Sequence, residues 1–352
     1  MILVNFRRRL MRHEHIRKRH TVRNIILTII LILLVSVGAY AARKYYNLKH
    51  AVDNSYQSAG IKKYRNASSE IQSKSPVSIL LMGTDTGALG RSYKGRTDTM
   101  MLITLNPKTN KTTITSIPRD TGVTIPGYES ESPSKINAAY AFGSAGTAIK
   151  TVQEMLNVPI DFYALMNMGG MEKVVNEVDG VTLTPTLSFS YDGYKFTKGK
   201  STHMNGKKAL AYSRMRYSDP KGDYGRQTRQ REVIMAIMSK SSSISTLLNK
   251  NFLDSISTSM KTDLTFSDLS ALAQNYRGAK KTVSQTHLQG TGETVNGQSM
   301  EIMAKSELQR VTNFNRSNLG LAHAKTGNIA LNVSSSSTSN SSVESDNVNA
   351  GN

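Results

Sequence analysis

The stretch VSILLMGTDTGALGRSYKGRTDTMMLITLNPKTNKTTITSIPRD, residues 77–120, decides the fold. Residues 77–82 are a short apolar run suited to a buried strand, and Gly83 ends it. Residues 100–105 and 112–117 are two further strand-like runs, joined by Asn106-Pro107 and a Thr/Lys turn. Outward from these, 136–142 and 145–156 have helical spacing, 162–166 reads as a strand, 170–178 as a helix and 181–184 as another strand. Strands alternating with helices predict a layered α/β domain.

The chain has 352 residues, a formal net charge of +20 and no cysteine. Disulfides and thiol nucleophiles are therefore excluded, and an anionic partner is expected. The charge is unevenly spread. Residues 1–23 form a basic leader (RRR at 7–9, RKRH at 17–20), followed by nineteen uncharged residues, 24–42, rich in Ile and Leu. As a helix that run reaches roughly 28 Å, close to the thickness of a bilayer's hydrocarbon core. It predicts one transmembrane helix, and the basic flank puts the N-terminus in the cytoplasm. Ala39-Tyr40-Ala41 has the pattern of a signal-peptidase site. The apolar run is longer than a usual signal segment, which favours an uncleaved anchor. The expected protein is single-pass and type II, in the cell membrane, with its folded part outside the cell. The positive leader invites a nucleic-acid reading, but its place beside the apolar run favours membrane topology, and no nucleic-acid partner is expected.

The remaining boundaries follow composition. Residues 43–75 are polar and read as a stalk, and 76–245 as the main domain. Residues 246–325 read as a helical extension with helices at 252–260 and 267–276 and a strand at 283–288. Residues 326–352 are a Ser/Asn-rich tail expected to be disordered.

Chemistry concentrates in residues 214–230, RMRYSDPKGDYGRQTRQ. Arg214, Arg216, Lys221, Arg226 and Arg229 crowd a turn between two helical patterns. Asp219-Pro220 and Gly222 break the chain, and Asp223 is placed to cap a helix from about Gly225 to Ser239. Arg226, Arg229 and Gln230 stand three and four residues apart and are expected on one face. Arg214 and Arg216 point the same way if the chain between them is extended. A solvated charged face accounts for part of this pattern. Guanidinium forks on both sides of one turn suit phosphate oxygens better.

Three other stretches lie at predicted strand ends. Asp85 follows the first strand and Asp98 precedes the second, so antiparallel pairing brings both to one sheet edge. Two carboxylates with few other ligands suit Mg²⁺ sharing phosphate oxygens, although each also reads as an ordinary turn residue. Arg119 in SIPRD is placed either for a surface pair with Asp120 or for phosphate. Lys135 is expected to open a helix, where a cation opposes the dipole and hints at an anion. Met100, Met101, Met166, Met168, Met171, Ile234, Met235 and Met238 can line an apolar groove or serve as plain core. There is no P-loop, GxSxG elbow, HExxH or Rossmann fingerprint.

Taken together, GTD (83–85), GRTDTMML (95–102), SIPRD (116–120), KINAAYAFG (135–143), RMRY (214–217) and GDYGRQTRQREVI (222–234) resemble the LytR-CpsA-Psr family over residues 76–240. The resemblance implies a central mixed β-sheet flanked by helices, preceded by one transmembrane helix. It implies an extracytoplasmic phosphotransferase that moves a glycopolymer, of teichoic acid or capsular polysaccharide type, from a polyprenyl-pyrophosphate carrier to peptidoglycan. By the same resemblance Asp85 and Asp98 hold Mg²⁺, or Mn²⁺ in its place. Arg119, Arg214, Arg216, Arg226 and Gln230 grip the pyrophosphate, supported by Arg96, Lys135 and Asp223. Asp98 and Asp223 are the candidates for a general base. Competing readings are a non-catalytic binder of anionic polymer or lipid carrier, a transcriptional regulator, and a pyrophosphate hydrolase.

Overall fold

The computed structural model describes residues 43, 45–46, 49–50, 52–84, 95–240 and 259–331. The leader, the apolar run 24–42, Asp85 and almost all of the expected 252–260 helix lie outside them. Among the described residues no helix is long and apolar enough to cross a membrane.

Six strands form the main sheet, in the order Met260–Thr262, Phe162–Asn167, Val77–Thr84, Thr97–Asn106, Lys111–Ser116, Thr282–His287. Val77–Thr84 and Thr97–Asn106 pair antiparallel with Leu81 opposite Met101. Phe162–Asn167 runs parallel to Val77–Thr84, and Thr282–His287 parallel to Lys111–Ser116, so the sheet is mixed. Strand alternation sends Leu80, Met82, Met100, Leu102, Tyr163 and Leu165 to one face. There they pack in a single core with the helices Ala138–Leu156 and Lys305–Asn318.

The opposite face is covered in two parts. Val77 and Phe162 pack with the helices Ala67–Gln72 and Phe266–Asn275. At the other end the helix Gly222–Lys240 lies against the sheet, where Arg231 Nη1 donates to Ser116 Oγ at 2.8 Å. A third apolar cluster joins that helix to Met168–Glu177, Gly206–Arg214 and the hairpin Phe189–Tyr191/Tyr194–Phe196. The gap between this cluster and the sheet becomes the site.

Several boundaries differ from the sequence reading. Residues 52–75 are built into the domain, although their composition reads as a stalk. Val52 and Ile71 are buried, and the Tyr163 hydroxyl donates to the Gln57 carbonyl at 2.8 Å. Arg65 grips Asp161 with two hydrogen bonds of 2.7 and 2.6 Å, and Lys63 pairs with Asp263 at 2.8 Å. These anchors are isolated residues rather than a periodic run, so periodicity misses them. The region after 246 is not simply helical: it supplies two strands of the main sheet and the hairpin Gly290–Val295/Gln298–Met303. The tail also starts later than 326, because Gly327 N donates to Met155 O at 3.1 Å and Ala330 is buried.

Asp161 allows a direct test of the first correction. Its carboxylate is fully buried and also accepts from Ser78 N at 2.7 Å. Asp161→Ala strands the Arg65 cation and should cost about 3–5 kcal/mol, read as a lower urea midpoint at unchanged slope.

Candidate functional site

The helix Gly206–Arg214 starts where the Asn205 side chain accepts from Lys208 N at 3.0 Å. Gly206 is needed there because a Cβ would lie 2.1 Å from the Glu172 carbonyl oxygen. The helix ends at Met215, whose φ of −55° and ψ of 134° turn the chain into an extended step. Arg214 and Arg216 therefore both line one cavity, as their spacing predicts.

The chain then turns through Asp219, which accepts from Lys221 N at 2.8 Å, and re-enters a helix at Gly222 (φ +51°). Asp223 is inside the first turn rather than at the cap. Its carboxylate meets Arg226 at 2.5 Å and Gln227 at 2.8 Å, and lies 3.9 Å from Arg216. It holds the arginines from behind and does not line the cavity.

Arg226 and Gln230 face the cavity, but Arg229 does not. At about 100° per residue, Gln230 is displaced about 40° from Arg226 to one side and Arg229 about 60° to the other. That rotation turns Arg229 inward. Its Nε donates to the Tyr212 carbonyl at 3.0 Å, while its two terminal nitrogens bond Met215 O and Asp219. Gly225 makes room for the closure, since a Cβ there would lie 1.9 Å from Asp219 Oδ2.

The cavity measures about 430 Å³. Its polar wall carries Asp98, Arg119, Arg214, Arg216, Arg226 and Gln230. Its apolar wall includes Leu81, Met101, Met166, Met168, Met171 and Ile234. Met100 instead belongs to the core, and Met235 and Met238 are not among the lining residues. Arg119 Nη1 donates to Asp98 Oδ1 at 2.7 Å. Lys135 meets Asp120 at 2.8 Å and stands on the short strand Ser134–Lys135, not in a helical turn. Its connection to the site runs through Asp120, which lies 3.7 Å from Arg119 Nε. Arg96 is exposed and outside the cavity wall, and Asp85 lies outside the described residues.

The electrostatics favour an anion. Burial opposes the charge on Arg119, but Asp98 and Asp120 outweigh it and raise its pKa. Burial dominates at Arg226, whose pKa is lowered despite Asp223, and Arg119 and Arg216 repel it further. Arg119 Nε and Arg226 Nε are buried without a hydrogen-bond acceptor among the described residues. Arg214 makes no hydrogen bond or ion pair with another described residue. Guanidinium donors left in this way suit an anionic guest.

Asp98 is the one carboxylate among the described lining residues. Among the described residues no group of three or more His, Cys, Asp or Glu side chains could hold a metal. A single hard oxygen donor beside an arginine-lined cavity is compatible with Mg²⁺, which keeps its waters and binds through one or two carboxylates. Sequence reasoning missed Tyr191 and Tyr217 on the rim and Arg231 beneath it. Tyr217 lay in plain view beside Arg216; Arg231 carried no separate signal.

Residues 42–317 match the LytR_cpsA_psr family. The polyisoprenyl-teichoic acid–peptidoglycan teichoic acid transferase TagU of Enterococcus faecalis is 43% identical over 288 residues, covering 82% of this chain and 93% of that protein. Among solved structures, gbs0355 from Streptococcus agalactiae superposes with a TM-score of 0.68 at 35% identity, over 77% of this chain and 96% of that one. TagU of B. subtilis superposes with a TM-score of 0.55 at 38% identity, over 70% and 97%. The matched span takes in the mixed sheet, the arginine-lined cavity and the helices that frame it, and the chain belongs to the LytR-CpsA-Psr family.

Proposed function

We propose that this protein is a phosphotransferase that moves a teichoic-acid-type or capsular glycopolymer from a polyprenyl-pyrophosphate carrier to peptidoglycan. The observation that carries this reading is the cavity: four guanidinium groups from three segments face an apolar wall of methionine, leucine and isoleucine. A polyprenyl pyrophosphate has this same division into anionic head and apolar tail. The relative's name, a polyisoprenyl-linked teichoic acid transferase, supports the substrate class.

In the reaction an acceptor hydroxyl oxygen attacks the phosphorus that bears the sugar. The bridging P–O bond breaks, polyprenyl phosphate departs, and the hydroxyl's proton passes to a carboxylate of the site. Arg119, Arg214, Arg216 and Arg226, with Gln230, hold the phosphate oxygens and stabilise charge as it builds on them. Asp98, with Asp85, would hold Mg²⁺ or Mn²⁺ against the pyrophosphate, where the ion supplies charge neutralisation. Of the two carboxylates considered for the acceptor's proton, Asp98 faces the cavity and Asp223 does not. The apolar run 24–42 would anchor the protein, with the basic leader in the cytoplasm and the site outside.

The test uses full-length protein in detergent with a polyprenyl-pyrophosphate-linked saccharide, Mg²⁺ and peptidoglycan oligomers. Covalent saccharide phosphate should appear on the acceptor. Chelation with EDTA should lower the rate about 10²-fold, with recovery on adding Mg²⁺, and Asp98→Ala should resist that recovery. Binding without transfer would point to a carrier-binding module. Release of saccharide phosphate regardless of acceptor would point to a hydrolase.

A further inference from the structure

Tyr217 is 93% exposed, the highest value among the exposed large hydrophobic residues described. It nevertheless lines the cavity, one residue beyond Arg216. The other exposed large hydrophobics, Tyr45, Tyr46, Tyr56 and Tyr64, all lie in the N-terminal segment. An aromatic ring left in water contributes nothing to the core, so packing does not explain Tyr217. The Arg216 guanidinium sits 5.9 Å from the ring centroid, which places the ring beside a cavity-lining cation.

On the pyrophosphate reading, on which this inference rests, the substrate meets the protein in a set order. The apolar wall takes the prenyl chain, and the arginines take the two phosphates. The next group outward is the first sugar, joined to phosphorus through one oxygen. The Tyr217 ring, 5.9 Å from the Arg216 guanidinium and on the wall of the same cavity, is within reach of a group joined to a phosphate held there. A pyranose presents a face of C–H bonds, and an aromatic ring presents a negative face that attracts them.

We propose that Tyr217 is a substrate-positioning residue that stacks on the phosphate-linked sugar of the donor. It sets the angle at which the sugar-bearing phosphorus meets the acceptor, and it selects donors whose first sugar exposes a flat C–H face. Tyr191, half-buried on the same cavity wall at the end of a hairpin strand, belongs to the same rim.

The experiment measures binding of two probes to full-length protein in detergent: polyprenyl pyrophosphate alone, and the same carrier bearing one N-acetylhexosamine. Tyr217→Ala should weaken the sugar-bearing probe about tenfold and leave the sugar-free probe within about twofold. Tyr217→Phe and Tyr217→Trp should retain binding, because stacking needs the ring and not the hydroxyl. Equal loss for both probes would overturn the proposal, since Tyr217 would then act through Arg216 on the phosphates. Unchanged binding of both, with a raised KM for peptidoglycan, would also overturn it and move the stacked sugar to the acceptor. If wild-type protein fails to bind the sugar-free carrier, the pyrophosphate reading itself falls, and this inference with it.

Discussion

Replacing Arg229 by alanine should destabilise the domain by about 3–5 kcal/mol and abolish transfer with it. The residue is only 4% exposed, and its side chain holds three groups at once: the carbonyls of Tyr212 and Met215, and the carboxylate of Asp219. Its guanidinium also lies 5.4 Å from the Phe189 ring, closing the apolar cluster behind the site. Removing it leaves Asp219, itself nearly buried, without its cation, and leaves two carbonyls short of a donor. The segment so released is the one that carries Arg214 and Arg216. Arg229→Lys should recover little, because one ammonium cannot reproduce a planar fork with three acceptors. Equilibrium urea unfolding monitored by far-UV circular dichroism reads the loss directly. A midpoint equal to wild type would show that the turn is held by other contacts.

Arg214→Ala should behave in the opposite way. Arg214 faces the cavity and makes no hydrogen bond or ion pair with another described residue, so the fold does not depend on its charge. Its urea midpoint should correspond to within about 0.5 kcal/mol of wild type. Transfer should nevertheless fall by about 10²–10³ in kcat/KM, the usual cost of removing one donor from a developing oxyanion. Arg214→Lys should restore part of the rate, keeping the charge but losing the bidentate grip. Retained transfer in the folded alanine variant would remove Arg214 from the proposed pyrophosphate grip. The two arginines stand fifteen positions apart in one motif, and a single pair of assays separates their roles.

That contrast also marks how far the sequence could be read. The antiparallel neighbours Val77–Thr84 and Thr97–Asn106 were legible because their apolar runs are continuous and bounded by Gly and Asn-Pro. The helix Ala138–Leu156 was legible even in its interruption, since Gly143 and Ser144 leave helical geometry between the two expected pieces. Lys135 was misplaced by three residues of helix boundary, enough to move it from a helical turn to a strand paired with Gly122.

Residue type and local period alone determined the α/β class, the order of most elements, and the presence of an arginine cluster about one turn. Those features follow from neighbouring residues, whose burial pattern and charge are written locally. Only the tertiary structure decided which arginines face the cavity and which hold the fold. Arg226 and Arg229 carry the same group on the same helix, and a rotation of about 60° sends one to the cavity and the other to Asp219. Tertiary contact alone also recruited residues 52–75, through Arg65 and Asp161, ninety-six positions apart. A buried charge is stable only beside its partner, and that partner is chosen by the folded chain.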